Sequence, residues 1–398
     1  MKDILIIAHF IRGTIEGRFE YIANRFVDSG NEVELITSDF YHDLKKHRSC
    51  ENFQYDEFKF KLTTIHEIGY HRNITIRRFY SHFLMSKNLE KYLSKRKKPS
   101  IIYCSVPSLD VGYVVSKYAK KNNIKLIIDI QDLWPEAFQM VFHAPVISDL
   151  IFYPFRRQAR FIYSSADYIF AVSRTYADRA LKISKNKDKG SESVFLGTKL
   201  LKFDEYARKS KTIEKPANEI WLTYIGTLGH SYDLTCVFDA LKLIKDENYY
   251  IKFIIMGDGP LRSKFEEYAK DNNLNVYFTG KLSYENMIEY LMNSDIAINP
   301  ISHGAAQSII NKHGDYAAAG LPVVNTQESD EYRSLVENYK MGLNCENGNV
   351  RDLADKLEML CKDQDMRKNM GKNSRYLAET MFDRDKTYEE IFETINNI

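Results

Sequence analysis

Short apolar runs of strand length alternate with helical patterns along the whole chain, and no other feature constrains its fold as strongly. A strand that is followed by a helix and then by another strand can pair with its successor only in parallel, so the repeat implies parallel sheets covered by helices. The first half reads MKDILIIAH as a strand, EGRFEYIANRFVDSG as a helix ending at Gly30, and NEVELIT as a strand. SIIYCSV, a helix over 112–123, KLIIDI, a helical stretch around 147–165 and DYIFAVS follow. Near SVFLGTKLLKFDEY the pattern breaks, and the polar run to about 218 reads as an interdomain linker. The alternation restarts with EIWLTYIG and continues through YIKFIIMGDG, NVYFTG, DIAINPI and NKHGDYAAAGLPVVN, with helices between. Two doubly wound, Rossmann-like domains are expected, residues 1–205 and 206–375. A last helix in 376–398 is expected to pack back on the first domain. Ligands of such sheets sit at the carboxyl ends of the strands, which implies a cleft between the two domains.

Composition agrees with this reading. A chain of 398 residues exceeds one ordinary core, and 44% hydrophobic with 28% charged residues describes a globular protein. The apolar run from Ile4 stops at His9, and Asp3 stands where a leader would be basic, so neither a secretory leader nor a membrane span is expected. The cysteines at 50, 104, 236, 345 and 361 form no CxxC pair and read as reduced cytosolic thiols. The formal charge of +2 conceals a split, roughly +10 over residues 1–200 against roughly −8 over the rest. Residues 71–99 are basic and rich in Phe, Tyr, Leu and Met. Such a segment suits an anionic membrane surface, the alternative being an ordinary solvated helix face. No nucleic-acid module accompanies the charge, so nucleic acid is not an expected partner.

A nicotinamide enzyme would carry GxGxxG after the first strand, whereas the turn here is HFIRGTIEGRF. Glycine turns and helix N-termini present free N–H groups and so cradle anions. Gly226, Gly257, Gly259 and Gly280 all stand at strand ends, and a turn needing positive φ is the plain reading for Gly257 and Gly259. Lys312 stands near a helix start, where a cation opposes the helix dipole unless an anion is bound; a solvated lysine is the alternative. Ala317 to Ala319 let that helix approach a sheet closely, and Gly320 with Pro322 ends it. Neither a DxD in the expected loop nor a His/Cys cluster appears, so no metal is expected.

Four segments fall in an order that resembles the nucleotide-sugar domain of retaining glycosyltransferases of family 4, which have the GT-B fold. They are IGTLGHSYDLTCVFDALKLI, FIIMGDGPLRSKFEEYAKDNNLNVYFTGKL, NSDIAINPI and NKHGDYAAAGLPVVN. In the first half DIQDLWPEAF resembles the DLWPE segment of the branch building bacterial capsule, O-antigen and exopolysaccharide, and SADYIFAVSRTYADRAL the end of the family's first domain. The resemblance implies a nucleotide-sugar donor, UDP being the family's commonest carrier, with no cofactor. It implies as acceptor a lipid-linked saccharide at the cytoplasmic face of the bacterial plasma membrane, and implies nothing about oligomeric state. It assigns donor binding to Gly17, Arg18, Gly226, Thr227, Gly257, Gly280, Lys281, Ile310, Asn311, Lys312 and Asp315. Asp315 takes the place of the Glu that grips the ribose hydroxyls, where a carboxylate accepts two hydrogen bonds from a cis-diol. Catalytic roles fall to Lys312, to Asp132 on the acceptor side (a loop cap being the alternative), and to Gln307, which stands where the family has its first Glu. Further departures are Gln131 in place of a His, and Thr227 where the family carries Arg and Lys, leaving Lys312, Arg18 or Arg174 to balance the diphosphate. A 2-epimerase of the same fold and a non-catalytic subunit of a transferase pair are the rival readings.

Overall fold

The computed structural model describes residues 1–14, 16–48, 57–73, 75–136, 145–184, 189–209, 213–244, 250–305 and 309–398. The chain divides into two compact units, one of residues 1–194 with 388–398 and one of 195–387.

Among its described residues the first unit holds a seven-stranded parallel sheet. Its strands are β1 (Asp3–Ile7), β2 (Glu32–Ser38), β3 (Lys61–Ile65), β4 (Ile101–Val106), β5 (Lys125–Ile130), β6 (Tyr168–Ala171) and β7 (Gly190–Ser193), in the order β3-β2-β1-β4-β5-β6-β7. The central strands are covered on both faces, which is why they read as unbroken apolar runs: Ile4 to Ile7 and all of β4 are buried. Helix Arg18–Asp28 lays Phe19, Ile22, Ala23 and Phe26 on this sheet at helical spacing. The last helix, Glu389–Asn397, adds Ile391, Phe392 and Ile395 to the same core, with Phe392 edge-on to Phe26 at 5.0 Å. Helix Gln364–Leu377 and the residues up to Thr387 stay in the second unit, so only 388–398 of the segment 376–398 join the first.

The second unit has a six-stranded parallel sheet among its described residues. β8 (Glu219–Ile225), β9 (Tyr250–Met256), β10 (Val276–Gly280), β11 (Ile296–Asn299), β12 (Val323–Asn325) and β13 (Gly342–Asn344) run in the order β10-β9-β8-β11-β12-β13. This is the doubly wound order, with its switch point between β8 and β11. The unit begins at Phe195, ahead of the expected boundary at 206, because the expected linker contains helix Leu200–Lys209. Leu200 and Phe203 bury against Trp221 and Leu291, and Asp204 takes two hydrogen bonds from Arg375, each 2.7 Å. Charge on the outer face of that helix masks its apolar spacing.

Candidate active site

In the second unit the carboxyl ends of β8, β9 and β10 are laced backbone to backbone. The Gly226 N–H donates to the Met256 carbonyl, Gly257 to that of Gly280 and Leu228 to that of Asp258, each at 3.0 Å. The lacing requires glycine. A Cβ on Gly257, at φ +153, would lie 1.8 Å from the Gly226 oxygen, and one on Gly259 would lie 2.4 Å from the Leu228 oxygen. Over these ends opens a cavity of about 360 Å³ lined by Gly226, Thr227, Gly257 and Lys281, with Asp258 and Met287 beside them. Gly280 ends β10 at φ +72.

Helix Asn311–Ala318 is fixed to the same end of the sheet by Tyr316, whose hydroxyl accepts from the Ile225 N–H at 2.8 Å and donates to the Ile298 carbonyl at 3.3 Å. The small residues Ala317 and Ala318 are buried against the core, allowing this close approach. Ile310 is the N-cap and offers no side-chain cap; its N–H is taken up instead by Nδ1 of His313 at 3.3 Å. Asn311 is exposed. Lys312 is only 6% exposed, and its Nζ has no hydrogen-bond partner. That nitrogen lies 4.3 and 4.1 Å from the ring centres of Tyr224 and Tyr232, and a Cβ on Gly226 would be 3.6 Å from it. Burial holds the amine well below the ordinary lysine range. His313 stacks on Tyr332 at 3.6 Å, and its buried Nε2 is also without a hydrogen-bond partner. Asp315 accepts hydrogen bonds from Thr198 Oγ1 at 3.0 Å and Tyr284 Oη at 2.9 Å. Gln307 lies outside the described residues.

Gly17, Arg18 and Asp132 belong to the first unit. The expectation that Arg18 binds the diphosphate needs correction. Its guanidinium is buried, donating to Asp129 Oδ2 at 2.8 Å and Oδ1 at 3.3 Å and to the Val194 carbonyl at 3.2 Å, over the ring of Tyr388. Arg18 is thus held in a core ion pair with Asp129. Beside Gly17 stands the Glu20 carboxylate, whose Oε2 lies 2.0 Å from where a Cβ would stand, and Glu20 Oε1 accepts from the Gly13 N–H at 2.6 Å. A buried carboxylate thus occupies this turn. Arg174 pairs with Asp178 on the surface at 2.9 Å. Lys312 belongs to the second unit and stands beside its Gly226 loop.

Asp132 follows β5 and accepts from the Leu133 N–H at 2.8 Å and the Trp134 indole at 3.2 Å, while burial raises its carboxyl above the usual range. The Trp134 ring stacks with His82 at 5.7 Å between centres, and Arg78 Cζ lies 4.8 Å from the Trp134 ring centre. Around it gather residues that sequence reading missed. His9 Nδ1 is 2.7 Å from Ser108 Oγ and His9 Nε2 is 2.9 Å from Glu67 Oε1. Positions 9, 67, 82 and 108 are remote in sequence; their shared signal is that His9, Glu67 and Ser108 each follow a strand of one parallel sheet.

The family model for glycosyltransferase family 4 matches residues 15–189, and that for glycosyl transferases group 1 matches residues 205–376. A glycosyltransferase of Methanocaldococcus jannaschii is 25% identical over 244 residues, which is 60% of this chain and 61% of that protein. The capsular polysaccharide biosynthesis glycosyltransferase CapM of Staphylococcus aureus is 20% identical over 234 residues, 56% of this chain and 60% of its own. The chain thus spans about three fifths of the length of these relatives. Among solved structures, HepE of Anabaena in complex with UDP superposes with a TM-score of 0.71 at 12% identity, covering 100% of both chains. With one family model on each half and this fold throughout, the chain belongs to the GT-B glycosyltransferases.

Proposed function

We propose that this protein transfers a sugar, with retention, from a uridine diphosphate carrier to a lipid-linked saccharide in cell-surface polysaccharide synthesis. The observation that carries the reading is Lys312: a buried, unpartnered amine at a helix N-terminus, aimed at the Gly226 loop. An amine so placed is poor company for a helix dipole and for a dry core, and a bound diphosphate removes both objections. In transfer with retention the leaving diphosphate gains negative charge, so fixed N–H groups and one cation at that place stabilise the departing group. Asp315 on the same helix serves the ribose, and Asp132 holds the acceptor side. HepE, similar in fold, is bound to UDP, and CapM acts in capsule synthesis by its name; both support the reading.

The acceptor reading rests on the first unit's surface. Helix Ile76–Leu93 exposes Ile76 (88%), Tyr80 (55%) and Phe83 (47%) on one stripe with Arg77, Lys87 and Lys91. Phe79 of this helix packs on Phe155, and there helix Pro145–Ser165 adds exposed Ile151, Tyr153, Arg157 and Arg160. Apolar side chains among cations suit the headgroup zone of an anionic bilayer, which supports a reading of the enzyme as peripheral on the inner face of the plasma membrane. No helix among the described residues is long and apolar enough to cross a membrane. The test is calorimetric titration with UDP, followed by turnover of UDP-sugars on lipid-linked saccharides with the anomeric configuration read by NMR. Binding of UDP and a retained configuration support the proposal. Inversion, or conversion of the donor alone to an epimer, contradicts it.

A further inference from the structure

We propose that His9, Glu67 and His82 form a divalent transition-metal site, with zinc the ion that suits its ligands, fastening helix Ile76–Leu93 to the strand ends of the first unit. One ligand atom from each of the three lies within 4.8 Å of the others, and the residues are 0%, 0% and 1% exposed. Two imidazoles and one carboxylate are a borderline N/O set that favours zinc, whereas calcium and magnesium need six or more oxygens.

The surroundings resemble the outer shell of a metal centre. A ligating histidine normally fixes its second nitrogen to a neighbour, as His9 Nδ1 does with Ser108. Glu67 is held by the hydroxyls of Ser38 and Ser81, which are themselves set by the N–H groups of Phe40 and Gly69, each at 2.9 Å. A hydrogen-bond network alone satisfies His9 and Glu67 but leaves His82 Nε2 buried with no partner. Buried polar atoms are ordinarily satisfied, and an imidazole nitrogen so placed, beside a carboxylate and a second imidazole, suits a Lewis acid. The sequence reading found no such cluster because its members lie far apart in the chain. A second set, Asp39, His47 and His66, is partly or fully exposed; it is a weaker competitor that the experiment must separate.

The full chain, expressed with added zinc and dialysed, is analysed for bound metal as wild type and as His82→Gln, Glu67→Gln and His66→Ala. The expected result is one zinc per chain in the wild type and in His66→Ala, and loss of it in the other two. A chelator is expected to lower the wild-type melting temperature and leave that of His82→Gln unmoved. Absence of retained zinc in the wild type, or zinc kept by His82→Gln and lost from His66→Ala, overturns the proposal. Should the cluster variants fail to fold, cobalt titration of the wild type decides. An intense visible band of four-coordinate cobalt supports the site, and a weak six-coordinate spectrum overturns it.

Discussion

Replacing Lys312 by Met separates the two roles a buried lysine can have, because the two effects carry opposite signs. Methionine fills nearly the same volume without a polar atom, so in the free protein it removes an unpartnered buried nitrogen. Leaving such an atom unsatisfied costs about 1–3 kcal/mol, and Lys312→Met is expected to gain that amount. For a unit of this size each kcal/mol raises the melting temperature by about 2–4 °C. Binding moves the other way. A hydrogen bond to a charged group contributes about 1.5–3 kcal/mol, so UDP affinity should fall by about 10- to 150-fold. Calorimetry on the same two preparations reads both quantities. A variant that melts lower and binds UDP as tightly as the wild type would falsify the reasoning, since Lys312 would then be a structural residue.

The same lysine sets a pH dependence. Its folded pKa is depressed below the ordinary value of about 10.4, so the unfolded chain holds a proton that the folded one lacks, and stability should rise as pH climbs toward that value. Urea midpoints at pH 7 and 9 should show this slope in the wild type and lose it in Lys312→Met. Glu34 acts at the acid end. Burial pushes its carboxyl up, but hydrogen bonds from Arg96, Thr63, Tyr92 and Lys61 together hold it at about 2. Its contribution, at most about 3 kcal/mol, is present above the ordinary carboxylate value and fades as pH falls toward 2, so Glu34→Gln should flatten the acid limb of a denaturation curve. Arg18→Ala leaves Asp129 buried without its cation and should cost about 3–5 kcal/mol, with UDP affinity of the folded fraction unchanged. A drop in affinity at equal stability would restore Arg18 to the donor site. On the membrane side, Ile76→Ser with Tyr80→Ser and Phe83→Ser should abolish flotation with anionic vesicles, and wild-type binding should weaken steeply with salt. No wild-type flotation at low salt would refute that surface.

The central strands and the helices between them were legible because a strand covered on both faces must be apolar throughout, as in ILII of β1 and IIYCSV of β4. The strands that went unread, β3, β7 and β13, are sheet edges, where one flank meets no neighbour and GSES can serve. The glycine loops and Lys312 were readable for a related reason: each is costly unless something specific stands beside it. Arg18 misled because a buried ion pair and an anion contact demand the same side chain, and only the placement of Asp129 tells them apart. The His9, Glu67 and His82 cluster was invisible because parallel strand ends converge in space while their residues stay remote in sequence.

The most direct measurement is a crystal structure with UDP bound. The account predicts the β-phosphate over the ends of β8 and β9, with Lys312 Nζ about 3 Å from a phosphate oxygen and loop N–H groups turned toward it. A diphosphate lodged away from Gly226, with Lys312 still bare between Tyr224 and Tyr232, would contradict it.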